Sequence, residues 1–205
     1  DYFRRYRQLG RYIPEGSKPG AAAAAVYVSQ QVLPLDHEHF GLLPRQSILA
    51  AEAFHAAALD FAQRNGERLR CHVPFTPDSN LVCLALNPRG NTDVATMNRF
   101  LRALHDALRS DPQQPLQARE FFGSMTTLNP AIFGRDATLA TMSALQLDPA
   151  TLRAGEDSDR LVILRHTLMN PFLLDDENGI SYIDLYFRHL EALTQRLAGA
   201  EALPA

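Results

Sequence analysis

The sequence predicts an α+β fold in which long N-terminal helices precede a small antiparallel sheet with helices on one face. Three observations carry this prediction. Apolar residues recur at helical spacing over 20–32, 47–64, 92–109 and 181–197. Four short β-rich runs, 69–75, 80–87, 120–128 and 160–170, lie between the later helices. The first two runs are separated only by the turn TPDS, and strands joined so closely pair antiparallel.

The elements follow in order. Residues 20–32 are rich in alanine and valine, follow Pro19 and stop before Pro34. A proline at a helix start is tolerated because its missing N–H would be unpaired there. LDHEHFGLLPRQ reads as a turn-rich connection, and Ser47 as the residue before a second helix ending at Asn65-Gly66. Both of those residues tolerate the left-handed conformation that terminates helices. In that helix Ile48, Ala51, Phe54, Ala58 and Phe61 share a face. In the third, Val94, Met97, Leu101, Leu104 and Leu108 recur, with Thr92 or Asp93 as the capping candidate. Residues 129–158 are interrupted by Pro, Gly and Asp and support no assignment. In the last helix Ser181 and Asp184 resemble a capping box, and Ile183, Phe187, Leu190 and Leu197 form the apolar stripe.

Composition bounds the function classes. The chain has 205 residues, 46% hydrophobic and 21% charged, with a formal charge of −3. That is ordinary globular composition, with no basic stripe for nucleic acid. No apolar run reaches the roughly 18–20 residues of a membrane span, and no signal-peptide pattern opens the chain. Cys71 and Cys83 are the only cysteines and lack C-x-x-C spacing, so they read as buried reduced thiols of a cytoplasmic protein. The opening DYFRRYRQLGRYIP reads as the middle of a longer polypeptide.

Few residues suggest chemistry. His37-Glu38-His39 has an H-x-H spacing but no third ligand, so no metal site is expected. His55, His72 and His166 lie in helix and strand patterns and read as hydrogen-bonded structural residues. No G-x-S-x-G, H-E-x-x-H, P-loop or dinucleotide fingerprint occurs. The distinctive stretch is EGSKPGAAAAAV, residues 15–26. Backbone N–H groups of a glycine-serine turn at a helix start suit a phosphate, and the alanines allow close approach of another surface. A capped helix packed on a neighbour accounts for the same composition.

GSKPGAAAAAVYVSQQVLPLD resembles the G-S-[RK]-P-G-A-x-A-A-x-V segment of group II pyridoxal-phosphate-dependent amino-acid decarboxylases, the relatives of glutamate, aromatic and diaminobutyrate decarboxylases. LVILRHTLMNPFL, residues 161–173, resembles the late strand of that family, where L-R-x-T-L-x-N-P is common. The resemblance covers nearly the whole chain, but only the C-terminal part of such an enzyme. It implies the C-terminal domain of a type I pyridoxal-phosphate fold. Residues 1–46 would then close the large-domain region and 47–205 form the small domain.

It also implies roles. Gly16 and Ser17 would bind the cofactor phosphate held by the other subunit of a homodimer, with the alanine helix at the dimer core. Arg165 would hold the carboxylate of a small amino-acid substrate, with a guanidinium's two parallel hydrogen bonds. Asn170 and Pro171 would turn the chain. The Schiff-base lysine belongs to a D-x-H-K segment that is absent here and expected upstream, so no catalytic residue is assigned in this chain. Lys18, the only lysine, stands where relatives carry arginine and does not fit that role. The activity implied is release of carbon dioxide from an amino acid. An aldol-type lyase on the same scaffold, or a non-enzymatic dimerisation module, are the alternatives.

Overall fold

The computed structural model describes residues 19–108, 121, 123–154, 157–175 and 178–201. Two compact units divide the chain, Asp1–Pro44 and Arg45–Ala205.

In the first unit, helix α1 spans Gly20–Val32, and none of its residues is buried. Asp36 organises the turn that follows. Its Oδ1 accepts from the backbone of Glu38 and His39 and from His39 Nδ1 at 2.8 Å. The His39 bond and the backbone bonds hold the Asp36 carboxyl below the usual range. Gly41 closes the turn, where a Cβ would stand 2.6 Å from the Asp36 carbonyl oxygen. Only glycine fits so close an approach.

Helix α2 is Leu42–Arg64, five residues longer at its start than the spacing predicts. Pro44 falls in its first turn, where N–H groups have no helical partner, so it does not break the helix. Ser47 is therefore a buried residue inside α2 and not its cap. Ala51, Phe54, Ala58 and Phe61 are buried as predicted, but Ile48 is exposed. The helix stops at Asn65-Gly66 without a left-handed residue, since neither has positive φ. Instead the Asn65 side chain donates to the Phe61 carbonyl at 3.1 Å.

The remainder of the second unit is an antiparallel sheet with helices. Strands β1 (Leu69–His72) and β2 (Leu81–Pro88) form the predicted neighbours. Helix α3 is Val94–Ala107, capped by Asp93, whose carboxylate accepts from Thr96 N at 2.7 Å. Strand β3 is Ser124–Leu128. The unassigned region contains helix α4 (Pro130–Phe133), helix α5 (Arg135–Ala144) and a 3₁₀ turn at Pro149–Thr151. Their Asn129 and Asp148 caps explain why these interrupted residues still fold locally. Strand β4 is Leu161–Thr167. A short hairpin, β5 (Leu174–Asp175) with β6 (Ile180–Ser181), was not predicted. Helix α6, Tyr182–Glu201, begins where Ser181 Oγ accepts from Asp184 N at 3.1 Å.

The four-stranded sheet has the order β1-β2-β4-β3, antiparallel throughout. Strand β4 thus inserts between β2 and β3, although β3 precedes it in the chain. One sheet face carries Val82 and His166 as direct partners. There Phe54 of α2 and Tyr186 of α6 pack on His166, at ring separations of 4.6 and 5.2 Å. The opposite face is closed at one end, where Asn87 Nδ2 donates to the Leu145 carbonyl after α5. At its other end that face is open.

Asn98 on α3 ties this arrangement together. It donates to the carbonyls of Asp157 and Arg160 and accepts from Val162 N at 2.8 Å. A fully buried amide with all three partners made is stabilising, and a half-satisfied one would be costly.

Candidate functional site

Pairing register sets Arg165 beside two residues to which the sequence assigns no site role, on the open part of the sheet. Cys83 of β2 and Ser124 of β3 are the direct partners of Arg165 in β4. Directly opposed residues of an antiparallel pair point to the same face, so the three form one row. In the next row, Ala85 and Ile163 are buried at 0% and 1%. The open part of the face therefore begins at Arg165.

Arg165 lies in a strand whose other members from Leu161 to Leu164 are buried, yet its own side chain is exposed. Nε is 3.4 Å from Ser124 Oγ, and that hydroxyl donates to the Arg165 carbonyl at 2.8 Å. Among the described residues no carboxylate forms an ion pair with Arg165. The other arginines paired with carboxylates, such as Arg102 with Asp157 and Arg64 with Asp60 and Glu191, stand elsewhere. Among the described residues this guanidinium, with five donors, makes only the weak Ser124 contact, which leaves donors to take an anion with two parallel bonds.

Cys83 is 6% exposed beside this cation. Burial raises its thiol pKa, and the charge of Arg165 acts in the opposite direction. Cys71 is pushed up to about 12 by burial alone. Both thiols are free, as the sequence predicts. Cys83 also forms part of an open concavity of about 490 Å³, bordered by Phe75, Pro77, Asp78 and Leu81. The loop between β1 and β2, which the sequence marks only as a turn, supplies most of that border.

Behind the row, on the other face of β4, His166 is buried. Its Nδ1 lies 3.2 Å from the Val82 carbonyl, and its Nε2 lies 2.6 Å from the Tyr186 hydroxyl. A carbonyl only accepts, so Nδ1 carries the proton, and Tyr186 donates to Nε2. Desolvation lowers His166 to about 4, against the smaller pull of the Val82 bond. Burial raises the Tyr186 phenol. The histidine is thus a satisfied structural group, as its strand setting predicts. His72 is half-buried, and desolvation lowers it too.

Gly16, Ser17 and Lys18 lie outside the described residues. Asn170 accepts from Phe172 N at 3.0 Å, which fits a chain turn after β4. His39 is occupied by Asp36, and no group of three metal-ligating side chains occurs among the described residues. Nor is any described helix long and apolar enough to cross a membrane.

Comparison with known proteins adds identity at the family level. Residues 51–197 match the family described as "Tyrosine decarboxylase, C-terminal". The chain is 31% identical over 175 residues to the L-tyrosine decarboxylase of Levilactobacillus brevis, covering 83% of this chain and 26% of that protein. It is 30% identical over 188 residues to the L-tyrosine decarboxylase of Enterococcus faecalis (strain ATCC 700802 / V583), covering 91% and 29%. The L-tyrosine decarboxylase of Enterococcus faecium is 30% identical over 170 residues, covering 82% and 27%. The chain spans a little over a quarter of the length of these curated relatives. With residues 51–197 matched by the family and relatives 30–31% identical over most of its length, the chain belongs to the tyrosine decarboxylase C-terminal family.

Proposed function

We propose that this chain is the C-terminal part of a pyridoxal-phosphate-dependent carboxy-lyase that releases carbon dioxide from an aromatic amino acid, L-tyrosine foremost. The observation that carries the reading is Arg165, an exposed guanidinium at the open end of an otherwise buried strand, with no carboxylate paired to it among the described residues. The substrate follows the activity named for the relatives.

In this reading Arg165 holds the substrate carboxylate through two parallel charge-assisted bonds, and Ser124 steadies the guanidinium from one side. Holding the departing group fixed lowers the entropy cost of reaching the transition state. The rows behind, closed by Ala85, Ile163 and the Phe54–His166–Tyr186 cluster, give Arg165 a rigid, dry base. When bound, pyridoxal phosphate supplies the electron sink for the charge left as carbon dioxide departs.

The described residues fit a substrate wall and not the covalent anchor of that cofactor, since the chain's one lysine, Lys18, lies outside them. Gly16 and Ser17 are proposed to reach the cofactor phosphate of a partner subunit, through backbone N–H groups and a hydroxyl at the start of α1. The protein is then a homodimer with α1 near its interface, a role compatible with a helix none of whose residues is buried.

The test is carbon dioxide release by the purified full-length protein supplied with pyridoxal phosphate. Release from L-tyrosine, lost in Arg165→Ala, supports the proposal. No release from any aromatic amino acid would overturn it.

A further inference from the structure

We propose that Phe75 forms the wall against which the substrate's side chain lies, so that the concavity beside Arg165 selects a carboxylate bearing an aromatic ring. This rests on the reading of Arg165 as the carboxylate anchor and adds a specificity-determining residue to it.

The geometry points there through the sheet register. Cys83 is the direct cross-strand partner of Arg165 and at the same time part of the concavity's lining. Cβ atoms of such partners are roughly 4.5–5.5 Å apart, so the concavity begins one strand away from the guanidinium's root. Its volume of about 490 Å³ falls within the range of small-ligand pockets. A molecule whose carboxylate sits on Arg165 has the row below closed to it by Ala85 and Ile163. The concavity on the Cys83 side offers space for the rest of that molecule.

The chemistry of that side is selective. Phe75, Pro77 and Leu81 form the apolar part of a lining that Thr76, Asp78 and Ser79 complete, and Phe75 and Leu81 are themselves 42% and 38% exposed. The Phe75 ring is braced by Phe133 of α4, at a centroid separation of 6.3 Å and an interplanar angle of 37°. Aromatic pairs at such separations favour offset or tilted arrangements. A solvent-facing ring favours a flat, rigid apolar partner over a flexible aliphatic chain, because the rigid partner loses less freedom on contact. Asp78, in the same lining, adds a negative charge. A second carboxylate on the substrate is repelled there, which separates an aromatic monocarboxylate from an acidic amino acid.

The experiment is equilibrium titration of the full-length protein with 3-phenylpropanoate, butanoate and glutarate, by calorimetry. These probes carry the carboxylate without the reactive amine, so the readout is independent of turnover. The expected result is at least tenfold tighter binding of 3-phenylpropanoate than of either other probe. Phe75→Ala should bring the ring preference to within about twofold, and Phe75→Tyr should keep it. Circular dichroism melts of both variants establish that the fold is intact. A ring preference unchanged in Phe75→Ala, or no preference in the parent protein, overturns the proposal. Failure of the underlying reading shows differently, as equal affinities of Arg165→Lys and parent protein for butanoate and 3-phenylpropanoate alike.

Discussion

The Tyr186 hydroxyl donates to His166 Nε2 across 2.6 Å in the core, fixing the tautomer of a buried histidine. The pair joins α6 to β4 directly behind Arg165. Its titration gives the first prediction.

His166 stays neutral in the folded protein down to about pH 4, whereas its ordinary value is 6.5. Between those values the unfolded chain binds the extra proton, so stability rises with pH across this window. The contribution is complete above about pH 6.5 and is lost as pH falls toward 4. Between pH 6.5 and 5 it amounts to about 2 kcal/mol. Urea unfolding at both pH values should show this loss in the parent protein. The double variant His166→Leu/Tyr186→Phe removes the titrating group without stranding the hydroxyl, and should show a shallower pH slope. Identical slopes would refute the assignment.

Arg165→Lys in the full-length protein keeps the charge but loses the two-pronged geometry. One charge-assisted hydrogen bond is worth roughly 1.5–3 kcal/mol, so kcat/KM should fall about 10- to 150-fold. Because the side chain is exposed, the melting temperature should change little. Unchanged kinetics beside a lowered melting temperature would make Arg165 an architectural residue.

The proposed dimer makes a separate prediction. Ala23→Leu or Ala24→Leu adds bulk to an alanine run on α1. Overpacking a close contact costs about 1–3 kcal/mol, so the full-length variants should dissociate at higher concentration than the parent in sedimentation. An unchanged dimer in both variants would place the interface elsewhere.

Asn98→Leu should be the most damaging of these substitutions to the fold itself. It strands Val162 N and the carbonyls of Asp157 and Arg160. Leaving buried polar groups unpaired costs about 1–3 kcal/mol each, and some will find water, so a net loss of about 2–4 kcal/mol is expected. Chemical denaturation should show a lower midpoint with the same slope.

Periodicity and punctuation in the sequence determined α1, α3, α6 and the four main strands, because these elements are stabilised by residues within a few positions of one another. The caps at Asp93 and Ser181 were legible for the same reason. Local signals misled at Pro44, which looks like a breaker but falls where a helix has no N–H to lose. They misled again at Asn65, which ends α2 through its side chain and not through backbone handedness. The thiols, the strand position of Arg165 and the structural character of His166 could all be read from neighbours in the chain. The insertion of β4 between β2 and β3 could not, since strand pairing depends on which edge a distant segment reaches. Only that insertion sets Ser124, Cys83 and Arg165 in one row and leaves their end of the face open. Register is a property of paired backbones, so the sequence determined what Arg165 is, and the tertiary structure decided what stands beside it.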